Sequence, residues 1–178
     1  VYKRQADGLS SWDLAVAAGV DEKVAVAKRL ERDERYREYL EHKDIELPGV
    51  LEVLEALSGH CHMAIVTTSK GRDFDVIHRN RSITDYMDFV LVREDYEQSK
   101  PHPEPYLLAM EKFGARPAEC LVVEDSARGL KAAMAAGIDC AVVYNEFTAS
   151  QDFTGADFRL RSLAELPGIV GVQTHQEQ

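Results

Sequence analysis

Three short stretches of this chain bring together residue types that handle phosphate and a hard cation. Leu121-Val122-Val123-Glu124-Asp125-Ser126 is an apolar, β-branched run that ends on two adjacent carboxylates. The run reads as a buried strand, and Ala127 to Ala136 behind it has the pattern of a helix. Acids at the carboxyl end of a strand stand where open α/β sheets bind ligands. Nothing nearby in sequence neutralises the pair, which suits a hard cation such as Mg2+ better than an acid–base couple. The competing reading is a helix cap, a role that Asp125 and Ser126 fill well.

The second stretch, Met63 to Lys70, is an apolar run that closes on hydroxyls, and the third, Ser99 to Tyr106, holds Lys100 in a proline-rich turn before a helix. In phosphate chemistry, the hydroxyls of Thr67 and Thr68 and the backbone N–H groups after the strand would bind phosphate oxygens, and Lys100 would neutralise developing charge. Asp125 would be a metal ligand, with Glu124 assisting directly or through water. Each residue also has a structural alternative. Thr67 can be a β-branched strand terminus and Lys100 a solvent-exposed turn residue, while His102 reads as turn filler.

The elements that must position these residues follow from apolar periodicity. Strands are predicted at Met63–Thr67, Phe89–Val92, Cys120–Val123 and Ala141–Val143, with an edge strand or extended segment at Ala156–Arg161. Helices are predicted at Leu9–Gly19, Asp21–Leu40, Val50–Leu57, Arg72–Arg79, Glu104–Phe113 and Ala127–Ala136, with a helical turn at Leu163–Leu166. In Asp21–Leu40 the expected apolar stripe is Val24, Ala27 and Leu30, beside a solvated Glu/Arg face carrying i,i+4 pairs. Trp12 reads as a packing residue. Strands that alternate with helices in near-continuous apolar runs indicate a parallel sheet covered on both faces.

In order and spacing these motifs resemble the haloacid dehalogenase (HAD) superfamily, specifically its small-capped phosphatases of the phosphoglycolate phosphatase and β-phosphoglucomutase kind. Thr67 matches the second motif, Lys100 the third and Glu124-Asp125 the fourth, and the resemblance runs from roughly Leu47 to Leu166. It implies an α/β fold: a Rossmann-like, doubly wound parallel sheet over residues 47–172, with a partial α-helical cap over residues 6–46. It also implies a Mg2+-dependent phosphatase acting on a small phosphorylated metabolite such as phosphoglycolate or a sugar phosphate.

The same resemblance calls for a nucleophile, the first aspartate of a D-x-D-x-[TV] motif at the end of the first core strand, with the second aspartate as acid–base. No apolar strand of that kind precedes Leu9, and Asp73-Phe74-Asp75 follows charged residues instead. The expectation is a chain that begins inside the cap, lacks the central nucleophile strand and is catalytically incomplete. The predicted consequence is Val1–Gln5 as a poor surrogate strand, direct pairing of the two orphaned strand edges, or an open slot between Ile65 and Val122. Val1-Tyr2-Lys3-Arg4-Gln5 fits nothing after it and reads as a foreign, adapter-derived segment. Two alternatives stay open: a β-phosphoglucomutase-like phosphotransferase, and a non-catalytic HAD-like module for Mg2+ binding or interaction.

Bulk properties narrow the classes. The 178 residues, 45% hydrophobic and 29% charged, are ordinary for a globular domain. A net charge of −10 argues against nucleic acid or an anionic membrane as partner. Cys61, Cys120 and Cys140 lie in or beside strand-like runs without C-x-x-C spacing, and are expected as buried free thiols in the cytosol. Gln173 to Gln178 reads as a disordered tail. No pattern in the sequence bears on oligomeric state.

Overall fold

A computed structural model describes residues 11–42 and 47–172 of the chain. The Val1–Gln5 segment and the Gln173–Gln178 tail lie outside the described residues. The chain divides into two compact units, Val1–Ile45 and Glu46–Gln178.

The first unit contains α1 (Ser11–Ala17) and α2 (Glu22–His42). Asp21 starts α2, its carboxylate accepting the N–H groups of Lys23 and Val24. The predicted stripe fails here: Val24 and Leu30 are 52% and 60% exposed, Ala27 is exposed, and the buried positions are Ala25 and Asp33. The reason is physical. The covered positions carry little apolar surface, so apolar periodicity does not mark the face of α2 that packs. Glu31 carries the expected i,i+4 pair, 2.8 Å from Arg35, and an i,i+3 pair, 2.8 Å from Lys28; Lys28 first and Arg35 second hold its carboxyl below the usual range. Trp12 is half-buried, with the Arg32 guanidinium 5.9 Å from its ring centroid.

The second unit alternates strands and helices: α3 (Val50–Leu57), β1 (Ala64–Val66), α4 (Gly71–His78), β2 (Phe89–Leu91), α5 (Glu104–Phe113), β3 (Leu121–Glu124), α6 (Ala127–Ala136), β4 (Asp139–Val143), β5 (Phe158–Leu160) and α7 (Leu166–Ile169). Its strands are all parallel and form two sheets, β1-β2 and β3-β4-β5. Among the described residues no ladder joins β1 to β3, so the two orphaned edges do not pair directly.

Alternation along β4 assigns the faces. Cys140 and Val142 join Leu130, Ala133 and Tyr106 in one core, against which Val66 of β1 also packs. Ala141 faces the other way, into a core with Val53 and Leu57 of α3 and Leu166 of α7. Both faces are thus covered, as a doubly wound sheet requires. α6 seats closely because four of its five residues in that core are alanines, and Gly137 (φ 71°) ends it in the left-handed region that a side chain disfavours.

The cysteines need a correction. All three are free, but only Cys140 is buried, while Cys61 and Cys120 are half-buried, because they flank strands at the sheet's amino end instead of lying within them. Short 3-10 turns at Ser82–Tyr86, Arg93–Asp95 and Pro117–Glu119 were not anticipated; they lead into β2, follow it and lead into β3.

Candidate active site

Two strand ends meet at one ammonium. Lys100 Nζ donates to the carbonyl of Val66, the last residue of β1, at 3.0 Å and to Glu124 Oε1, at the end of β3, at 2.6 Å. Lys100 is 8% exposed, so the solvent-exposed reading of this lysine fails. The turn that delivers it is fixed from both sides. Glu104, in the first turn of α5, accepts the N–H groups of Glu97 and Gln98 at 2.7 and 2.9 Å, and these bonds lower its pKa. His102 Nδ1 accepts the N–H of Glu104 at 3.2 Å, a structural role. Arg128 Nε donates to the Lys100 carbonyl.

Tyr106 completes the surroundings of the ammonium. Its ring centroid lies 4.6 Å from Lys100 Nζ, within the range of a cation–π contact, and its hydroxyl donates to Glu124 Oε1. Burial first, and the adjacent Glu124 charge second, push the Tyr106 hydroxyl pKa far up; it stays a proton donor in this contact. Glu124 Oε2 accepts the Ser126 hydroxyl at 3.2 Å and the Asp125 N–H at 3.3 Å. Ser126 also caps α6, its Oγ accepting the N–H of Gly129 at 3.1 Å, while Gln151 accepts that of Ala127 at 2.8 Å. The cap reading therefore holds for Ser126 and not for Asp125.

Asp125 is exposed at the rim. Desolvation, then the charge of Glu124, raise its pKa. The Glu124 charge is the smaller of these two contributions, and a hard cation at the pair would offset it. The oxygen donors suit Mg2+, which commonly takes one or two carboxylates and fills its other positions with water and phosphate. Among the described residues no three His, Cys, Asp or Glu side chains gather as a metal cluster; Asp125 and Glu124 are the two carboxylates here that could hold a cation, and Glu124 already accepts from Lys100 and Tyr106.

At the β1 end, Thr67 continues the ladder through its N–H to Leu91 O at 2.9 Å. Its carbonyl accepts the Tyr96 hydroxyl at 2.7 Å, and its Oγ1 accepts the Ser69 N–H at 3.1 Å, which leaves the hydroxyl proton to donate. Thr68 is exposed beside it. Thr67 thus follows the carboxyl end of β1 and Glu124-Asp125 stand at that of β3, with Lys100 bonded to both strand ends. Asp73-Phe74-Asp75 lies in α4, with Phe74 buried. Burial pushes the Cys140 thiol up to about 12, which disqualifies it as a nucleophile.

Sequence reasoning missed Tyr96, Tyr106 and Gly129. The tyrosines touch partners 29 and 18 positions away, and only the proximity of Tyr106 to the Lys100 turn was a usable signal.

A sequence profile described as haloacid dehalogenase-like hydrolase matches residues 2–143. Protein CbbY of Rhodobacter capsulatus is 32% identical over 138 residues, covering 75% of this chain and 61% of that protein. Fructose-1-phosphate phosphatase YqaB of Escherichia coli is 30% identical over 109 residues, covering 61% of this chain and 57% of its own length. The crystal structure of CbbY from Rhodobacter sphaeroides in complex with phosphate superposes with a TM-score of 0.73 at 27% identity, over 83% of this chain and 68% of that one. The chain therefore spans less than two thirds of the length of these two curated relatives.

Proposed function

We propose, because this chain belongs to the haloacid dehalogenase-like hydrolase family, that the protein is a Mg2+-dependent phosphatase for a small phosphorylated metabolite, phosphoglycolate or a sugar phosphate. The observation that carries this reading is the buried Lys100 ammonium held between two strand ends, with the Asp125 carboxylate exposed beside it. An ammonium has three donors, and two are taken here, leaving the third for a phosphate oxygen. Thr67 Oγ and Thr68 Oγ supply further donors, while the Thr67 and Ser69 N–H groups are already bonded within the protein. Asp125, with Glu124 Oε2, would hold the Mg2+, which when bound neutralises phosphate charge. Positioning and charge neutralisation supply most of what phosphoryl transfer needs. The likeness to a fructose-1-phosphate phosphatase supports the sugar-phosphate class, and the helices of the first unit are read as part of a cap. Free cysteines support a cytosolic setting, and no described helix is long and apolar enough to cross a membrane.

The nucleophile is the missing element of this reading. The one D-x-D among the described residues lies in α4, so the chain by itself is read as catalytically incomplete. The experiment fuses an apolar strand ending in D-x-D ahead of residue 11. Mg2+-dependent hydrolysis of para-nitrophenyl phosphate should appear, and Lys100→Ala or Asp125→Ala should each remove most of it. A folded fusion without hydrolysis overturns the proposal. Metal-dependent turnover by the unfused chain, lost in Asp125→Asn, overturns its incompleteness.

A further inference from the structure

Gly129 lies in the first turn of α6 with an ordinary helical backbone, so its conformation does not call for glycine. Alanine would favour the helix more. Among the described glycines, most occupy left-handed turns or have open space where a side chain would go. Gly129 has neither excuse. A Cβ built on it would lie well inside 3.0 Å of Glu124 Cδ, Oε1 and Oε2, a separation that real Cβ atoms do not show, and no closer obstacle competes with them. The space that a side chain would fill is occupied by one carboxylate.

That carboxylate is the hub of the strand-end contacts. It takes Lys100 and Tyr106 on Oε1 and Ser126 and the Asp125 N–H on Oε2, and it lies against the amino-terminal turn of a ten-residue helix, where negative charge is favoured. We propose that Gly129 is a positioning residue: the absence of its side chain seats the Glu124 carboxylate and, through it, fixes the Lys100 ammonium at the junction of the two strand ends. A methyl group at 129 clashes with the far end of a flexible side chain and not with backbone. It should evict the carboxylate and leave the fold standing. The functional value of this positioning rests on Lys100 being the cation that faces phosphate, but the positioning itself does not depend on any hydrolysis.

The test uses Gly129→Ala, Glu124→Ala and the double variant of the full chain, with competitive acetylation of each lysine read by mass spectrometry and thermal unfolding read by circular dichroism. Lys23 and Lys112, both exposed, serve as internal references for reagent reactivity, and global unfolding is read from the circular dichroism. Lys100 should react roughly tenfold faster relative to those references in Gly129→Ala, a coupling typical of groups in direct contact. It should react as fast in Glu124→Ala, and no faster in the double variant. Gly129→Ala should lower the unfolding temperature of the natural chain yet raise or preserve that of Glu124→Ala. Unchanged Lys100 reactivity in a folded Gly129→Ala overturns the proposal, as does an effect that adds to that of Glu124→Ala. If Gly129→Ala does not fold, a folded double variant still supports the proposal. An unfolded one, with Glu124→Ala folded, shows that the methyl clashes elsewhere and overturns it.

Discussion

The ends of β1 and β3 meet at the same lysine yet are built in opposite ways. At β1 the contacts run through backbone: the Val66 carbonyl takes Lys100, and the Thr67 carbonyl takes Tyr96. At β3 they run through a side chain, with Glu124 placed against Lys100, Tyr106 and Ser126. A backbone carbonyl is present whatever the side chain, so substitution at Val66 or Thr67 leaves the acceptors for Lys100 and Tyr96 in place. The β3 end depends on a nearly dry ion pair, with side chains 11% and 9% exposed. Such a pair is a modest source of net stability but a hazard when one member is removed.

The largest effect should therefore follow Lys100→Ala, which strands the Glu124 charge; a loss of about 3–5 kcal/mol in urea unfolding is expected. A loss under 1 kcal/mol would mean that water reaches Glu124 and that the two ends do not differ as described. Next comes the tyrosine pair. Tyr106→Phe removes a bond to a charged acceptor and should cost about 1.5–3 kcal/mol, against about 0.5–1.5 for Tyr96→Phe, which loses a neutral one. Equal losses would break the contrast between the ends.

The smallest effect concerns Asp125. Its folded pKa lies above its ordinary value, so the folded state holds its proton more tightly than the unfolded state does. The stability that this provides is full below the ordinary carboxylate range and is lost as pH rises through the raised folded value. Asp125→Asn should flatten that part of the stability profile, raise the unfolding temperature slightly at neutral pH and abolish any stabilisation by added Mg2+. Thermal unfolding against pH and Mg2+ concentration checks all three.

Much of this architecture was legible because it is periodic. The runs around Ile65, Val90, Val122 and Val142 announced strands, and Val50 to Leu57 announced a helix with one apolar face. Thr67, Glu124 and Asp125 were legible as residues at strand ends, and Lys100 as a residue held in a turn before a helix. The burial of α2 was not, because alternating charges left its few apolar residues without a dominant face, and covered Ala25 carries no hydrophobic signal. Tyr96 and Tyr106 were also missed, since an aromatic residue in a loop or helix does not reveal that its hydroxyl meets a strand end far along the chain. Gly129 was read as an ordinary helix position because the group that excludes a side chain there belongs to the preceding strand.

Among the described residues no ladder joins β1 to β3, and this has a dynamic consequence. Backbone ladders make strands exchange their amide protons as one cooperative block, and sheets without a shared ladder can open separately. Here β1-β2 and β3-β4-β5 share the packing of Val66 on the core and the Lys100 link. Occupancy of the lysine by an anion would then be felt as a change in how far the opening of one sheet entrains the other.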